Sequence, residues 1–389
     1  MDFSWSDDQL ALHQRLRTLA ERDLAADVIG RDQAQSFSRA GWERCAAGGV
    51  LGLPIPHEYG GLGCDPVTCA FALEGLGYGC RDNGLLICVG AHVWAAAVPI
   101  WKFGSAEQKK RLLPELCSGR MVGAHAITEP EAGSDALSLR AHARLGDGCY
   151  VLNGHKRFIT NGPIADVILV YATINPNLGF TGVTAFLVER DRPGLRIKTD
   201  HPKSGLRTSP WAEIILENCP VPVCQRLGAE KQGRAVFATA MAWERALILA
   251  PLLGAMQRQT DDCVRFAKQR QQFGRRIASF QAVAHAIVDM QVRLESARLL
   301  TYKAAFELGT HEGSMFSEIA KLQTSEAAVQ TFLDAINLHG AHGYTVGAEI
   351  ERDLRDALGM RISSGTSAMQ RSVIAGKLGL YSAGRPLAQ

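Results

Sequence analysis

The spacing of apolar residues changes twice along this chain, and that change constrains the fold more than any other feature. Up to about residue 120, and again from Gly233 onward, apolar residues follow the three-to-four-residue period of helices. Between Met121 and Pro222 the chain instead carries short β-branched runs bounded by turn residues. The order predicts an α+β fold, mostly α, with a helical domain over 1–120, a middle β domain over 121–232 and a four-helix bundle over 233–389.

Local signals support each part. Ser6 with Gln9 resembles a capping box, and GGVLGLPIPHEYGGLG (48–63) predicts a loop between helices. Gly146-Asp147-Gly148 predicts a hairpin, and Pro220 and Pro222 close the β domain. A long helix is indicated by one apolar stripe: Val283, Ile287, Met290, Leu294, Ala297, Ala304 and Leu308.

Composition narrows the classes of function. A net charge of +3 over 389 residues implies no long-range field for nucleic acid or an anionic membrane. The ten cysteines form no CxxC pair, so we expect reduced core thiols rather than a zinc site or a disulfide framework. The start, MDFSWSDDQLALHQRL, is acidic where a signal peptide is basic, and we therefore expect a cytoplasmic protein.

Several common catalytic motifs are missing. The stretch 75–80 lacks the third glycine of GxGxxG, and Gly376-Lys377 lacks the rest of a P-loop. His339 and His342 have no nearby carboxylate pair or third histidine that would favour a metal site. Neither Ser134 nor Ser364 has the GxSxG context of a nucleophile.

Three stretches indicate a bound ligand. AITEPEAGSD (126–135) has the small and hydroxyl residues of a loop that approaches a polar planar group. HKRFITNG (155–162) offers an aromatic ring beside a hydroxyl, which suits stacking on a flat ring, although a core β-strand is the alternative. RQQFGRRIASFQ (270–281) offers a phosphate donor, an amide and an aromatic, or else a solvated basic loop.

Along nearly the whole chain, a series of motifs resembles the acyl-CoA dehydrogenase superfamily. In order, these motifs are TEPEAGSD, KRFITNG, RQQFG with FQ, LHGAHGY, RDA (355–357) and GTSAMQ. The resemblance implies the same three-domain layout, bound FAD, and dimers or tetramers whose flavin sites include residues of a neighbouring subunit; we expect a homotetramer. The implied FAD residues are His125, Ile127, Thr128, Gly133, Ser134, Phe158, Ile159, Thr160, Arg270, Gln272, Phe273, Gln281, Asn337, Gly340, Ala341, Thr366 and Ala368. Ala341 departs from the glycine common at its position.

A larger departure concerns the catalytic base. Many family members carry a glutamate immediately before the Gly-Thr of the last motif, and there this chain has Ser364. A serine without an adjacent base cannot take its place. Glu244, on a helix after the β domain, matches the position where isovaleryl-type members carry their base, and the backbone N–H of Ser364 is implied to bind the thioester carbonyl. The alternative for Glu244 is a surface residue paired with an arginine.

Within the superfamily the chain is most similar to the branch that oxidises acyl groups on carrier proteins, particularly prolyl-carrier-protein dehydrogenases. The stretches 162–188, MAWER around Glu244 and 292–300 carry this similarity, together with the SGTS turn. It implies a prolyl-like thioester on a peptidyl or acyl carrier protein in antibiotic biosynthesis, contacted by Trp243, Arg245, Ser364 and Gly365. The alternatives are a short branched-chain acyl-CoA dehydrogenase, a flavin-dependent oxygenase and an inactive acyl-binding subunit. We expect no metal, nucleic-acid or membrane partner.

Overall fold

Helices form the N-terminal part of the protein. The computed structural model describes residues 4–199, 201–308 and 315–380. The predicted capping box starts the first helix, because Ser6 Oγ accepts from the Gln9 amide at 3.3 Å and the Gln9 side chain bonds back to the Ser6 amide. The helices are α1 (Asp7–Asp23), α2 (Val28–Ala34), α3 (Arg39–Ala47), α4 (Pro66–Gly79), α5 (Asn83–His92), α6 (Val98–Phe103) and α7 (Ala106–Cys117).

Some of these helices are apolar on every side. A π-helical turn (Val93–Ala97) joins α5 to α6, so that Asn83–Phe103 is long and apolar enough to cross a membrane. The same holds for Gly233–Gln269. Within their most apolar windows, 89% and 72% of the residues are buried inside the protein. Because most of each window is buried inside the protein, both stretches are explained as core helices.

A mixed sheet forms the middle part. Its strands are β1 (Gly123–Ala126), β2 (His142–Leu145), β3 (Cys149–Thr160), β4 (Val167–Thr173), β5 (Val183–Glu189), β6 (Leu195–Lys198), β7 (Trp211–Pro222) and β8 (Arg226–Leu227). The order is β6-β7-β3-β2-β4-β5-β8, and β1 pairs with β4 in parallel. The predicted hairpin joins β2 to β3, with Leu145 opposite Tyr150.

The two prolines that we expected to close the β domain lie inside β7. Pro220 pairs with Val151 and Pro222 with Cys149 on β3. On its other side β7 pairs with β6 only over Glu213–Leu216, so this end of the strand has a free edge. A proline is tolerated there because no neighbour needs its missing N–H.

Helices return after β8. They are α8 (Gly233–Leu247), α9 (Ala250–Gln269), α10 (Gln281–Glu307), α11 (Phe316–His339), α12 (Ile350–Met360) and α13 (Ser367–Lys377), with a two-residue hairpin, β9 (Gln271–Gln272) and β10 (Arg275–Arg276), between α9 and α10. The predicted stripe lies on α10, where Met290, Leu294 and Ala297 are fully buried. The mostly helical α+β class is confirmed, and the domain bounds at 120 and 232 stay a prediction.

A buried polar cluster joins the three parts. The Asn83 side chain on α5 donates to Asp353 at 2.9 Å and to Asp356 at 3.2 Å, both on α12. Asp356 also accepts from the Leu206 amide of the β domain at 2.5 Å, and Arg258 on α9 bonds Asp353 at 3.2 Å. Burial raises the pKa of Asp356 to about 7. The cluster fixes α12, and with it the turn that follows α12.

Candidate active site

Glu244 lies in the last turn of α8 and is buried. Its exposed fraction is 9%, and the neighbouring Arg245 pairs with Glu318 of α11 at 2.9 Å rather than with Glu244. The alternative of a surface residue paired with an arginine is therefore wrong. A carboxylate removed from water with no ion-pair partner is a strong proton acceptor, since its charged form is poorly solvated.

The turn after α12 brings Ser364 to this carboxylate. Ser364 Oγ donates a hydrogen bond to Oε1 of Glu244. Ser364 has φ +55° and Gly365 has φ +89°, so two successive residues are left-handed. The sequence similarity placed both residues at the substrate, and the structure places Ser364 against the predicted base.

The carbonyl groups of this turn are bound from three helices. The Ser364 carbonyl accepts from Arg245 Nε at 3.2 Å and from Gln370 Nε2 at 2.9 Å. The Gly365 carbonyl accepts from Lys321 Nζ at 2.7 Å and from Gln370 Nε2 at 2.9 Å. Among the described residues, no protein atom accepts from the amides of Ser364 or Gly365. Two such N–H groups can stabilise a developing oxyanion.

The groups around Glu244 have opposing effects on its pKa. Burial raises its pKa, while the hydrogen bond from Ser364 and the positive charges of Arg245 and Lys321 lower it. The net shift is upward, which brings the carboxyl toward the range of a general base near neutral pH. Burial also lowers the pKa of Lys321, to about 8, because it disfavours the charged form.

A tyrosine and a phenylalanine that the sequence did not single out complete this side of the site. Tyr171 on β4 is fully buried, and its pKa is raised first by burial and then by the charge of Glu244. Its hydroxyl is 3.2 Å from His125 Nε2. The His125 ring lies parallel to Phe237 of α8, with centroids 6.1 Å apart. Burial lowers the His125 pKa to about 3, so the imidazole is neutral.

Trp243 packs within an aromatic cluster next to the base. Its ring is stacked on Trp94 with centroids 6.0 Å apart, and Trp101 meets it edge-on at 6.1 Å. Trp94 belongs to the π-helical turn between α5 and α6. Trp243 is 8% exposed and packs in the helical core, so large, rigid rings lie beside the base.

The first group of predicted cofactor residues lies on the β domain. His125, Ile127, Thr128, Gly133 and Ser134 follow one another along β1 and its loop. A Cβ added at Gly133 would meet nothing within 4 Å, so the loop faces open space. The amides of Gly133 and Ser134 have no protein acceptor among the described residues. Free amides beside hydroxyl groups are a donor set that fits the phosphates of FAD.

Three further members of this group lie on the neighbouring strand β3. The Arg157 amide bonds the Thr128 carbonyl at 2.8 Å, which keeps the two motifs side by side. The Phe158 ring is 45% exposed, and its φ of +58° turns it out of the strand. Ile159 is 2% exposed and packs in the β-domain core. For Ile159 the core-strand alternative holds, while contact of Phe158 and Thr160 with a flat ring stays a prediction.

An ion pair that the sequence reasoning missed holds these two motifs together. Lys156, fully buried on β3, is 2.7 Å from Glu129 of the loop. Glu129 also accepts from the Arg140 and Ala141 amides at 2.6 and 3.0 Å. The sequence contained two signals for this ion pair. One is a lysine on the core face of a strand, and the other is a glutamate inside a ligand-binding motif.

The second group of predicted cofactor residues lies at the far end of the bundle. Arg270, Gln272, Phe273 and Gln281 are exposed at the corner between α9 and α10, and Asn337, Gly340 and Ala341 are exposed at the end of α11. Phe266 and His339 join these regions, with ring centroids 4.3 Å apart. Along α11, Asn337 is about 24 Å from Lys321 at ~1.5 Å per residue. One chain does not bring this group to Glu244. Thr366, which caps α13, and Ala368 lie beside the Ser364 turn.

Comparison with known proteins decides the family. Three family models match in order: "Acyl-CoA dehydrogenase, N-terminal domain" over residues 6–120, the "middle domain" over 124–219 and the "C-terminal domain" over 231–379. The chain belongs to the acyl-CoA dehydrogenase family. Its similarity to several members extends over almost the full length.

Two relatives of the chain share a name. L-prolyl-[peptidyl-carrier protein] dehydrogenase of Pseudomonas fluorescens is 42% identical over 98% of this chain and 100% of its own length. The protein of that name from a Serratia species is 39% identical over 98% and 99%. An acyl-CoA dehydrogenase of Bacillus subtilis is 36% identical over 94% and 97%.

Solved structures give the same result. The prolyl acyl carrier protein oxidase AnaB superposes with a TM-score of 0.95 at 44% identity, covering 97% of this chain and 100% of its own. PigA, in a structure with FAD and proline, has a TM-score of 0.95 at 38% identity, covering 98% and 100%. The fold and the family are therefore shared with proteins that act on carrier-bound prolyl groups or bind FAD.

Proposed function

We propose that this protein is an FAD-dependent dehydrogenase that oxidises a prolyl-like aminoacyl group held as a thioester on a carrier protein, in secondary metabolism. The observation that carries the proposal is the buried Glu244 carboxylate, held by Ser364 beside two free amides. The relatives named as prolyl-carrier-protein dehydrogenases, which match nearly the whole chain, supply the substrate class.

In this mechanism Glu244 removes the proton from the α-carbon of the thioester. Oε1 is engaged by Ser364, and Oε2 accepts no hydrogen bond from a described residue, so Oε2 receives the proton. The Ser364 amide binds the thioester carbonyl and stabilises the negative charge that develops on its oxygen. FAD, when bound, would accept the hydride that leaves the β-carbon. The acyl group would then be an α,β-unsaturated thioester, with its α-proton on Glu244 and its β-hydride on the flavin.

The other predicted residues hold the reactants. Thr128, Gly133 and Ser134 bind the flavin through hydroxyl and amide donors, and Phe158 with Thr160 covers its ring. Trp243 bounds the pocket for the acyl ring, while Arg245 orients the turn through the Ser364 carbonyl. His125, kept neutral by burial, contacts Tyr171 on this side of the site without adding a charge.

The assembly is a homo-oligomer, a dimer or a tetramer, in the cytoplasm. Support comes from α10, where Val288, Val292, Leu299 and Phe306 form an outward stripe, each more than half exposed in the single chain. Such a stripe indicates a buried interface. The second group of cofactor residues, from Arg270 to Ala341, lies too far from Glu244 to serve it within one chain, and in the oligomer it completes the FAD site of the neighbouring subunit.

Flavin absorbance tests the proposed function directly. The purified protein, mixed without oxygen with L-prolyl-loaded carrier, bleaches its flavin band, and mass spectrometry of the carrier shows the loss of two or four mass units. In Glu244→Gln the rate of bleaching falls at least about a hundredfold, since general-base catalysis is worth that much, with flavin still bound. Glu58→Gln, an exposed control, bleaches at the parent rate.

Each alternative function has its own outcome in this experiment. Bleaching by a short branched acyl-CoA but not by the loaded carrier indicates an acyl-CoA dehydrogenase. A gain of oxygen mass after prior reduction and exposure to air indicates an oxygenase. Equal bleaching rates for Glu244→Gln and the parent refute the assignment of the base.

A further inference from the structure

We propose that Ser364 is a positioning residue that holds the Glu244 carboxylate in its ionised form and directs its second oxygen at the substrate. The inference rests on the proposed function and adds a role for a position where family members commonly carry the base itself. It begins from one contact, the hydrogen bond that Ser364 Oγ donates to Glu244 Oε1.

The backbone does not explain why this residue is a serine. With φ +55°, position 364 is in the left-handed region, which glycine adopts without strain. The turn is held through main-chain carbonyls by Arg245, Lys321 and Gln370, so it needs no side chain at position 364. The serine is therefore explained by its hydroxyl. Among the described residues, the only side chain to which this hydroxyl is hydrogen-bonded is Glu244.

That contact has two consequences for a buried carboxylate. A donor on Oε1 favours the charged form, because it replaces part of the hydration that burial removes. It also leaves Oε2 as the oxygen with free lone pairs, which fixes where the α-proton is received. Without the hydroxyl, the carboxyl would rotate and would be protonated at a higher pH.

Other groups around Glu244 cannot replace this donor. Arg245 points its guanidinium at Glu318 and at the Ser364 carbonyl. Lys321 from α11 donates to main-chain carbonyls of the turn. Tyr171 from β4 has a hydroxyl near the carboxylate, but burial raises its pKa well above the usual value, and its hydrogen-bond partner is His125. Both cations act on Glu244 through space, and among these neighbours Ser364 alone bonds it.

The test measures the rate of flavin reduction by prolyl-loaded carrier as a function of pH in Ser364→Ala and Ser364→Gly. Glu244 must be ionised to act, so loss of the donor moves the acid limb of the profile upward by about one pH unit, a tenfold loss of rate on that limb. The rate at high pH changes less. Ser364→Gly also suits the left-handed turn, so a shift shared by both variants reports the hydroxyl rather than misfolding.

The adjacent serine provides the control. Ser363 Oγ is buried without a hydrogen-bond partner among the described residues, so Ser363→Ala removes a hydroxyl from the same turn and leaves the profile in place. If both Ser364 variants keep the parent profile to within about 0.3 pH unit, Ser364 has no role in ionisation and the inference fails. If the parent itself is not reduced by the loaded carrier, the proposed function fails instead.

Discussion

Glu244 and Asp356 are two buried carboxyl groups whose pKa values are raised by the same cause, loss of water. They differ in what else surrounds them. Asp356 is bonded on both oxygens, by the Leu206 amide and the Asn83 side chain, and joins three parts of the fold. Glu244 is bonded on one oxygen only by the residues that the structure describes. The first arrangement suits a structural group and the second a reactive one.

The pKa of Asp356 predicts a pH dependence of stability. Its folded value of about 7 lies above the usual 3.8, so the folded state binds more protons between these values. The contribution of Asp356 to the free energy of unfolding therefore falls as pH rises from about 4 to 7. We expect the stability of the parent relative to Asp356→Asn to decrease across this window in urea titrations.

The exposed residue Asp191 gives the control for that measurement. The difference in unfolding free energy between the parent and Asp191→Asn should stay constant with pH, because replacing this exposed side chain leaves the buried cluster intact. A constant difference for Asp356→Asn as well would show that the buried cluster binds no extra proton.

At the scale of elements, one ion pair fixes the cofactor loop to strand β3. Lys156→Met leaves Glu129 buried without its cation, and breaking a buried pair in this way costs about 3–5 kcal/mol. We expect a lower denaturation midpoint and weaker FAD binding, measured by flavin fluorescence during dilution. Adding Glu129→Gln to Lys156→Met should recover part of both losses, because the stranded charge is then removed.

Lys110 on α7 serves as the matched control, since it is exposed and lies on a different element from the loop. Lys110→Met should leave flavin binding and the midpoint unchanged. If Lys156→Met binds FAD as tightly as the parent, the ion pair does not position the loop.

Elements with local signals could be predicted from the sequence, and elements that depend on distant partners could not. The Ser6 cap, the hairpin at 146–148 and the stripe on α10 are local, and the structure shows all three. The four-residue strands β1 and β6 are too short to give a period, and the parallel pairing of β1 with β4 is set by the sheet.

The same distinction applies to the site. Glu244 and the 364–366 turn were predicted because motifs mark them. Lys321 and Glu318 were missed, because in sequence they resemble surface charges on an amphipathic helix, and only packing turns them toward the turn and Arg245. Tyr171 was missed because it lies in a fully buried strand, where an aromatic residue predicts core packing.

At the scale of the whole molecule, the exposed stripe on α10 predicts the assembly. Val292→Asp or Leu299→Asp puts a charge into the proposed interface, and desolvating it there is costly. We expect a smaller species in size-exclusion chromatography with light scattering, together with loss of FAD, since in the proposed assembly the neighbouring subunit supplies part of the cofactor site.

Leu145→Asp tests whether any exposed apolar residue has this effect. Leu145 is 61% exposed at the β2–β3 hairpin, away from α10, and its replacement should leave mass and flavin content unchanged. Charged α10 variants that keep the parent mass would place the interface elsewhere.

Arg245, Lys321 and Gln370 hold the 364–366 turn by hydrogen bonds to its main-chain oxygens. This has a consequence for where the catalytic base of such a site can stand. Because the contacts that shape the loop do not involve the side chain at position 364, the scaffold and the reactive side chain are separable. A proton acceptor can therefore stand on the loop or on the facing helix without any change in the main-chain contacts that shape the turn.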